Sequence, residues 1–297
     1  MGFAKSCYRF CLARLQLFRV HHWCKNFLIF FPAFFGGQLL ERDAFCSAAS
    51  AFLAFSLTAS GIYCRNDVHD VTSDQKHSTK CHRPIASGHI SVAEGRLWSY
   101  VLPLIGGCLA FMTARHPLAA VLILASYWII NVCYSAGLKN VALIDIAILT
   151  TGFLLRLYTG AVACNIVISH WLYLTVMATS LALALGKRLK ELIREQAPTR
   201  PVLQRYSVDF LRQYMVITWT LALVFYSLWA LSDDTIQRLD TDKMVWSVPL
   251  VFFILMRYGL KIDGDSDGDP VSVLIKDPPL ILMVTGLFAL TFVLIYF

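Results

Sequence analysis

The residues best suited to chemistry stand together at Asn66, Asp67, Asp70 and Asp74. On one continuous helix the three acids fall at i, i+3 and i+7 and share a face. Three convergent carboxylates repel one another unless a cation lies among them, and hard oxygen donors suit Mg²⁺ better than zinc. A basic run with Lys76, Lys80 and Arg83 follows at once, the residue types that bind phosphate by point charge and by forked hydrogen bonds. The cluster directly follows an apolar stretch, residues 44–63. Ionisable groups at the mouth of a membrane segment are costly and usually functional. The plainer reading, a helix cap and a solvated turn, leaves the basic run without a purpose.

Three further groups have the right chemistry. Tyr134, Ser135, Gly137 and Lys139 precede Asp145, and Arg156 stands eleven residues beyond it, on the same helical face. An Arg that deep in an apolar segment needs an anionic ligand, or a partner that only organises packing. Gly186, Lys187, Arg188 and Glu191 form the next group. It reads either as a phosphate clamp or as side chains snorkelling from a helix end. Trp23, Lys25 and Asn26 form the last; Trp23 suits a membrane interface, and Lys25 can reach the same polar space.

These groups need a frame. The chain has 297 residues, 57% hydrophobic and 15% charged, with mean hydropathy +0.61. That excludes an ordinary soluble domain and predicts an all-α integral membrane protein. Hydropathy marks nine spans, near 27–40, 44–63, 97–114, 117–134, 141–162, 170–186, 214–231, 244–260 and 280–297. Residues 1–26 read as a cationic amphipathic juxtamembrane segment, and 27–297 as a single nine-helix transmembrane catalytic domain. With nine spans, 21 of the 26 Lys and Arg lie on the amino-terminal side and four on the other. The bias places the basic side in the cytoplasm. All the chemically apt clusters then face one side, around one cytoplasm-facing polar cavity. A transporter would place them near the midplane instead.

Other patterns carry less. The nine cysteines show no CxxC spacing and read as small apolar residues. Cys81 with His77 and His82 lacks a second cluster to complete a zinc site. Asp263, Asp265, Asp267 and Gly268 match the start of a calcium loop, but Leu274 stands where its bidentate Glu belongs. That stretch reads as an acidic cytoplasmic loop.

Asn66-Asp67-x-x-Asp70-x-x-x-Asp74 after the second span resembles the UbiA-type superfamily of intramembrane prenyltransferases. Leu149 stands where the second acid of that superfamily's other carboxylate motif would follow Asp145. The decaprenyl-phosphate phosphoribosyltransferase branch is the closer resemblance. It rests on Trp23-x-Lys25-Asn26, Lys80-x-x-Arg83-Pro84, Tyr134-Ser135-x-Gly137-Leu138-Lys139, Gly152-Phe153-x-x-Arg156 and Gly186-Lys187-Arg188-x-x-Glu191. It covers most of the chain to about residue 230 and matches the remainder only loosely, around Gly268-Asp269-Pro270 and Asp277.

The resemblance implies a UbiA-like bundle. It implies transfer of phosphoribosyl from 5-phosphoribosyl diphosphate (PRPP) to a polyprenyl phosphate, with Mg²⁺ as cofactor. Asn66, Asp67, Asp70 and Asp74 would hold the metal; Asp70, Asp74, Asp145 and Arg156 would be catalytic. Lys25, Lys80, Arg83, Tyr134, Lys139, Arg156, Lys187, Arg188 and Glu191 would bind substrate. The alternatives are prenyl transfer to a small acceptor, or lipid-phosphate transport without chemistry. The expected setting is a bacterial inner membrane. The bilayer is a partner, nucleic acid is not, and a homo-oligomer is compatible with the pattern.

Overall fold

The computed structural model describes residues 12–77, 79–194, 201–264 and 266–297. Residues 1–11, which open the cationic segment, lie outside the described residues, as does Asp265 of the acidic loop. The described residues form helices and turns without strands.

A 3-10 segment, Val20–Phe30, leads into a five-residue helix α1 (Phe31–Phe35). After it come α2 (Arg42–His69), α3 (Val71–Asp74), α4 (Val92–Thr113), α5 (Pro117–Ala136), α6 (Ile144–Cys164) and α7 (His170–Arg194). The remainder is α8 (Val208–Leu231), α9 (Asp233–Leu239), α10 (Val248–Asp263), α11 (Pro270–Lys276) and α12 (Pro278–Tyr296). A 3-10 turn, Lys243–Ser247, precedes α10.

Eight helical stretches among the described residues are long and apolar enough to cross a membrane: α2, α4, α5, α6, α7, α8, Lys243–Asp263 and α12. The chain is a multi-pass membrane protein. The expected first span, 27–40, differs: it is no single α-helix but the 3-10 segment and α1 in series. Eleven residues at about 2.0 Å and five at about 1.5 Å still reach about 30 Å, the thickness of the hydrocarbon core. Its two ends support that reading. Arg19 bonds Asp67 near the end of α2, while the carbonyls of Ala33 and Phe34 accept from Tyr296 at the last turn of α12.

Burial sorts the helices into layers. Within their apolar windows α2 and α7 are each 56% buried and α6 is 50% buried, against 17% for α5 and 11% for α12. The inner helices are therefore the three that carry Asn66 and Asp67, Asp145 and Arg156, and Lys187 to Glu191. Their residues fit that place. The buried side of α2 is built of Ala44, Ala48, Ala51, Ala54 and Ala59, small enough for neighbouring backbones to approach closely. The outer helices present large apolar side chains outward, such as Leu104, Met112, Leu118 and Leu282. That suits lipid, which needs no hydrophobic driving force to be satisfied.

Helices α2 and α7 also outrun their expected apolar limits, to residues 69 and 194. The extra turns carry Asn66, Asp67, Lys187, Arg188 and Glu191, so these side chains sit on regular helix rather than in loops.

Candidate active site

The first cluster does not lie on one continuous helix. Helix α2 ends at His69, and Asp70 breaks the run with φ −95° and ψ 7° before α3 begins. The interruption leaves Asp70 out of the face that Asp67 and Asp74 share. Asp67 and Asp74 are buried, at 2% and 3% exposure, whereas Asp70 turns outward and pairs with His69 at 3.0 Å. Among the described residues no three His, Cys, Asp or Glu side chains form a ready metal cage, in contrast to the expected three convergent acids.

Asp67 and Asp74 do converge, on a cation. Arg83 Nη1 donates to Asp67 Oδ1 at 3.2 Å and to Asp74 Oδ2 at 2.7 Å. Arg19 Nη2 donates to the same Asp67 oxygen at 2.6 Å and lies 4.8 Å above the Tyr63 ring. Asn66 Oδ1 accepts from Ser135 at 2.7 Å, tying α2 to α5. Two buried carboxylates meeting at one positive nitrogen, with a neutral amide oxygen on the adjacent residue, are the donor chemistry that a hard divalent ion requires. Asp67 and Asp74 fit Mg²⁺, and Arg83 stands at the point where they meet.

The second cluster is a closed network. Arg188 Nε donates to Asp145 Oδ2 at 2.6 Å, Nη1 to Glu191 at 2.5 Å and Nη2 to Tyr134 Oη at 3.0 Å. Tyr206 Oη donates to Asp145 Oδ1 at 2.7 Å and accepts from the Leu143 amide at 2.6 Å. Burial, and then the bond to Asp145, push the Tyr206 phenol up to about 12. No sequence signal had marked Tyr206; only the folded chain brings it to Asp145. Leu149 packs with the apolar cluster around Ile146, Ala184 and Leu185, so the second carboxylate motif is replaced by an ion pair to Arg188.

Arg156 departs furthest from expectation. Its hydrogen-bond partners differ from those of Asp145. Its Nε donates to Asn26 Oδ1 at 2.7 Å, Nη1 to the Gly152 carbonyl at 2.6 Å and Nη2 to Tyr127 Oη at 3.0 Å. The rings of Phe55, Tyr127 and Phe153 surround it at 4.7–5.7 Å, a cation–π cage. Asn26 in turn donates to Ser56 at 2.8 Å. One turn along α6, a Cβ at Gly160 would lie 1.9 Å from the Ile29 carbonyl. Arg156 and Gly160 thus fix the leading 3-10 segment against α6, and with it Lys25.

Lys25 and Lys187 converge on Asp269, from the loop read as merely acidic. Their ammonium nitrogens lie 3.4 and 3.7 Å from Asp269 Oδ1. Burial works against the Asp269 charge, yet Lys25 and then Lys187 hold its carboxyl below the ordinary value. Lys80 and Lys139 are half-buried on short 3-10 turns, Lys80–His82 and Leu138–Asn140. A cavity of about 120 Å³ lies beside this region, among Lys261, Asp267, Ser272, Lys276 and Asp277. Asp269 links the Lys25 and Lys187 groups by ion pairs, and the Ser135–Asn66 hydrogen bond links the first group to α5.

Known proteins resemble this chain in sequence and in fold. The family model described as the UbiA prenyltransferase family matches residues 29–239. A decaprenyl-phosphate phosphoribosyltransferase from Mycolicibacterium smegmatis is 35% identical over 89% of this chain and 86% of its own length. One from Mycobacterium tuberculosis is 31% identical over 91% of this chain and 89% of its own. The solved UbiA homolog from Archaeoglobus fulgidus, bound to GPP and Mg²⁺, superposes with a TM-score of 0.68 over 96% of this chain and all of its own, at 16% identity. The matched segment takes in α1 to α9 and with them the Asp67–Asp74 pair, the Asp145–Arg188 network and the Arg156 cage, and on that ground the chain belongs to the UbiA prenyltransferase family.

Proposed function

We propose that the chain transfers 5-phosphoribosyl from PRPP to a polyprenyl phosphate, releasing diphosphate and leaving phosphoribosyl-phosphoryl-polyprenol. The observation that carries this is likeness along almost the whole of both chains to enzymes named decaprenyl-phosphate phosphoribosyltransferase. The site's chemistry supports it. A donor with a diphosphate and a 5-phosphate, meeting an acceptor phosphate, demands more cations than a prenyl diphosphate does. Arg19, Lys25, Arg83 and Lys187 gather at one end of the bundle, each paired with an acid that a phosphate can replace.

Asp67 and Asp74 would hold Mg²⁺, with Asn66 beside them, and the ion would neutralise charge on the departing diphosphate. Asp70 stands outside that pair. Arg83, displaced from Asp67 and Asp74, would turn to a phosphate together with Lys80, while Lys25 and Lys187 take another. Lys139 and Tyr134 would border the ribose and acceptor end. Asp145, Arg188 and Glu191 hold Tyr134 in place rather than touching substrate. Arg156 acts through Asn26 to place Lys25. A polyprenyl phosphate is already anionic at neutral pH, so attack at C1 needs positioning and no general base. As the C1–O bond lengthens, positive charge grows on the ribose.

The site would face the cytoplasm of a bacterial inner membrane, where 21 of the 26 cationic residues fall by the nine-span count. The test is purified full-length protein with Mg²⁺, labelled PRPP and a polyprenyl phosphate, followed by lipid extraction. Label in the lipid is expected. Consumption of a prenyl diphosphate with PRPP untouched would replace this reading with prenyl transfer.

A further inference from the structure

We propose that Lys25 and Lys187 form a subsite for a phosphate dianion, and that Asp269 occupies this subsite in the resting protein and must leave for substrate to bind. The inference rests on the phosphoribosyl-transfer reading for the identity of that phosphate, and on the structure alone for the competition.

The two lysines come from distant parts of the chain, the leading 3-10 segment and inner helix α7, and meet at one oxygen of one carboxylate. Two ammonium groups facing a single negative charge leave a surplus that a dianion balances better. The contacts are also loose. At 3.4 and 3.7 Å, with side chains 20–34% exposed, they lack the short directed geometry of a structural pair. His22, one turn before Lys25, has its Nδ1 buried without a hydrogen-bond partner.

The segment that delivers Asp269 is tied down elsewhere, so it can yield at one point and stay attached. Lys190 donates to the Gly264 carbonyl. Asp267 accepts from Ser272 Oγ at 2.6 Å and from Lys276 at 3.2 Å. Between these anchors Gly268 takes φ +74°, and a Cβ there would lie 2.6 Å from Lys190 Cβ. Only glycine lets the backbone lie this close to α7 in that conformation. Asp269 also caps α11, accepting from the Ser272 amide at 3.4 Å. Asn caps a helix about as well as Asp, so Asp269→Asn removes the competing charge and keeps the cap.

The test compares wild type, Asp269→Asn and Asp267→Asn, each as full-length protein in nanodiscs with Mg²⁺. Equilibrium binding is measured for inorganic diphosphate and for PRPP. If Asp269 holds the lysines about nine-tenths of the time, its neutralisation tightens binding about tenfold. Asp267→Asn should leave binding unchanged. In wild type, either ligand should speed hydrogen exchange over residues 266–276. Weaker or unchanged binding of inorganic diphosphate by Asp269→Asn would overturn the proposal. So would equal tightening by Asp267→Asn, or slower exchange on ligand addition. If PRPP is not a substrate but inorganic diphosphate still binds Asp269→Asn more tightly, the donor assignment fails and the subsite stands.

Discussion

Two carboxylates in this molecule face basic partners on the same helix, and they do so in opposite ways. Asp145 is wholly buried and meets Arg188, itself 1% exposed, at 2.6 Å, with Tyr206 on its other oxygen. Asp269, 25% exposed, meets Lys187 and Lys25 only at 3.4–3.7 Å. The neighbours Lys187 and Arg188 thus serve different ends. Arg188 spends its donors on Asp145, Glu191 and Tyr134, while Lys187 keeps a compact, rotatable charge beside a replaceable partner. A buried charge that loses its partner is very costly, whereas an exposed pair contributes little to stability. The first arrangement ties α6 to α7 through a buried ion pair; the second is the contact proposed to open for substrate.

The sharpest way to break this comparison is to break the tight pair. Arg188→Met leaves Asp145 buried and unpaired, at a cost of about 3–5 kcal/mol. Lost expression or a steep fall in melting temperature is expected before any activity is measured. Normal melting with altered donor KM would make Arg188 a phosphate ligand instead. The next largest effect belongs to Asp74→Asn. Arg83 and Arg19 still have Asp67, so the fold should hold. Loss of one metal-binding charge should lower Mg²⁺-dependent turnover by about 10²–10³. Undiminished turnover, or an unchanged Mg²⁺ requirement, would remove Asp74 from the metal site.

The sequence made most of the frame legible, because nearly all the spans are marked by apolar runs bounded by charge. Its one structural miss, the first span, has a physical cause. A run such as Trp23-Cys24-Lys25-Asn26 carries polar groups into the leading 3-10 segment, and hydropathy discounts it, whereas the fold satisfies Asn26 with Arg156 and Ser56. At the site, residue types marked the groups that the fold brings together but not their pairing. Asp70 does not join Asp67 and Asp74 because the helix is interrupted at Asp70 itself, which a periodicity argument does not foresee. Arg156 and Asp145 share a helix face but look to different neighbours, and those neighbours are fixed only by tertiary packing. Asp269 stood only in a loose family match and beside a motif that resembles a calcium loop, 82 positions beyond Lys187 in the chain, so nothing tied it to the lysines.

A smaller change distinguishes a strut from a ligand at Arg156. Lys in its place keeps the charge but loses the fork that joins Asn26, Gly152 and Tyr127. Leaving such buried partners unsatisfied costs about 1–3 kcal/mol. Stability should fall by that amount, read as a lower melting temperature. Donor and acceptor KM, measured well below the transition, should move less than in Lys187→Met. A large rise in acceptor KM without loss of stability would instead put the acceptor phosphate against Arg156.

The smallest expected effect is a flat line. The Asp269 carboxyl lies below its ordinary value of 3.8 because Lys25 and Lys187 outweigh the opposing effect of burial. A group whose pKa is lowered by folding contributes fully above its unfolded value and loses that contribution as pH falls through the folded one. Titration of Asp269 itself should therefore leave its contact with the lysines unchanged from about pH 5 to about pH 8. Hydrogen exchange over residues 266–276, corrected for the intrinsic rate, should show no step in that window. A midpoint near neutrality would mean that a group other than Asp269 governs the contact, and the contrast with the buried Asp145–Arg188 pair would then rest on that group's charge.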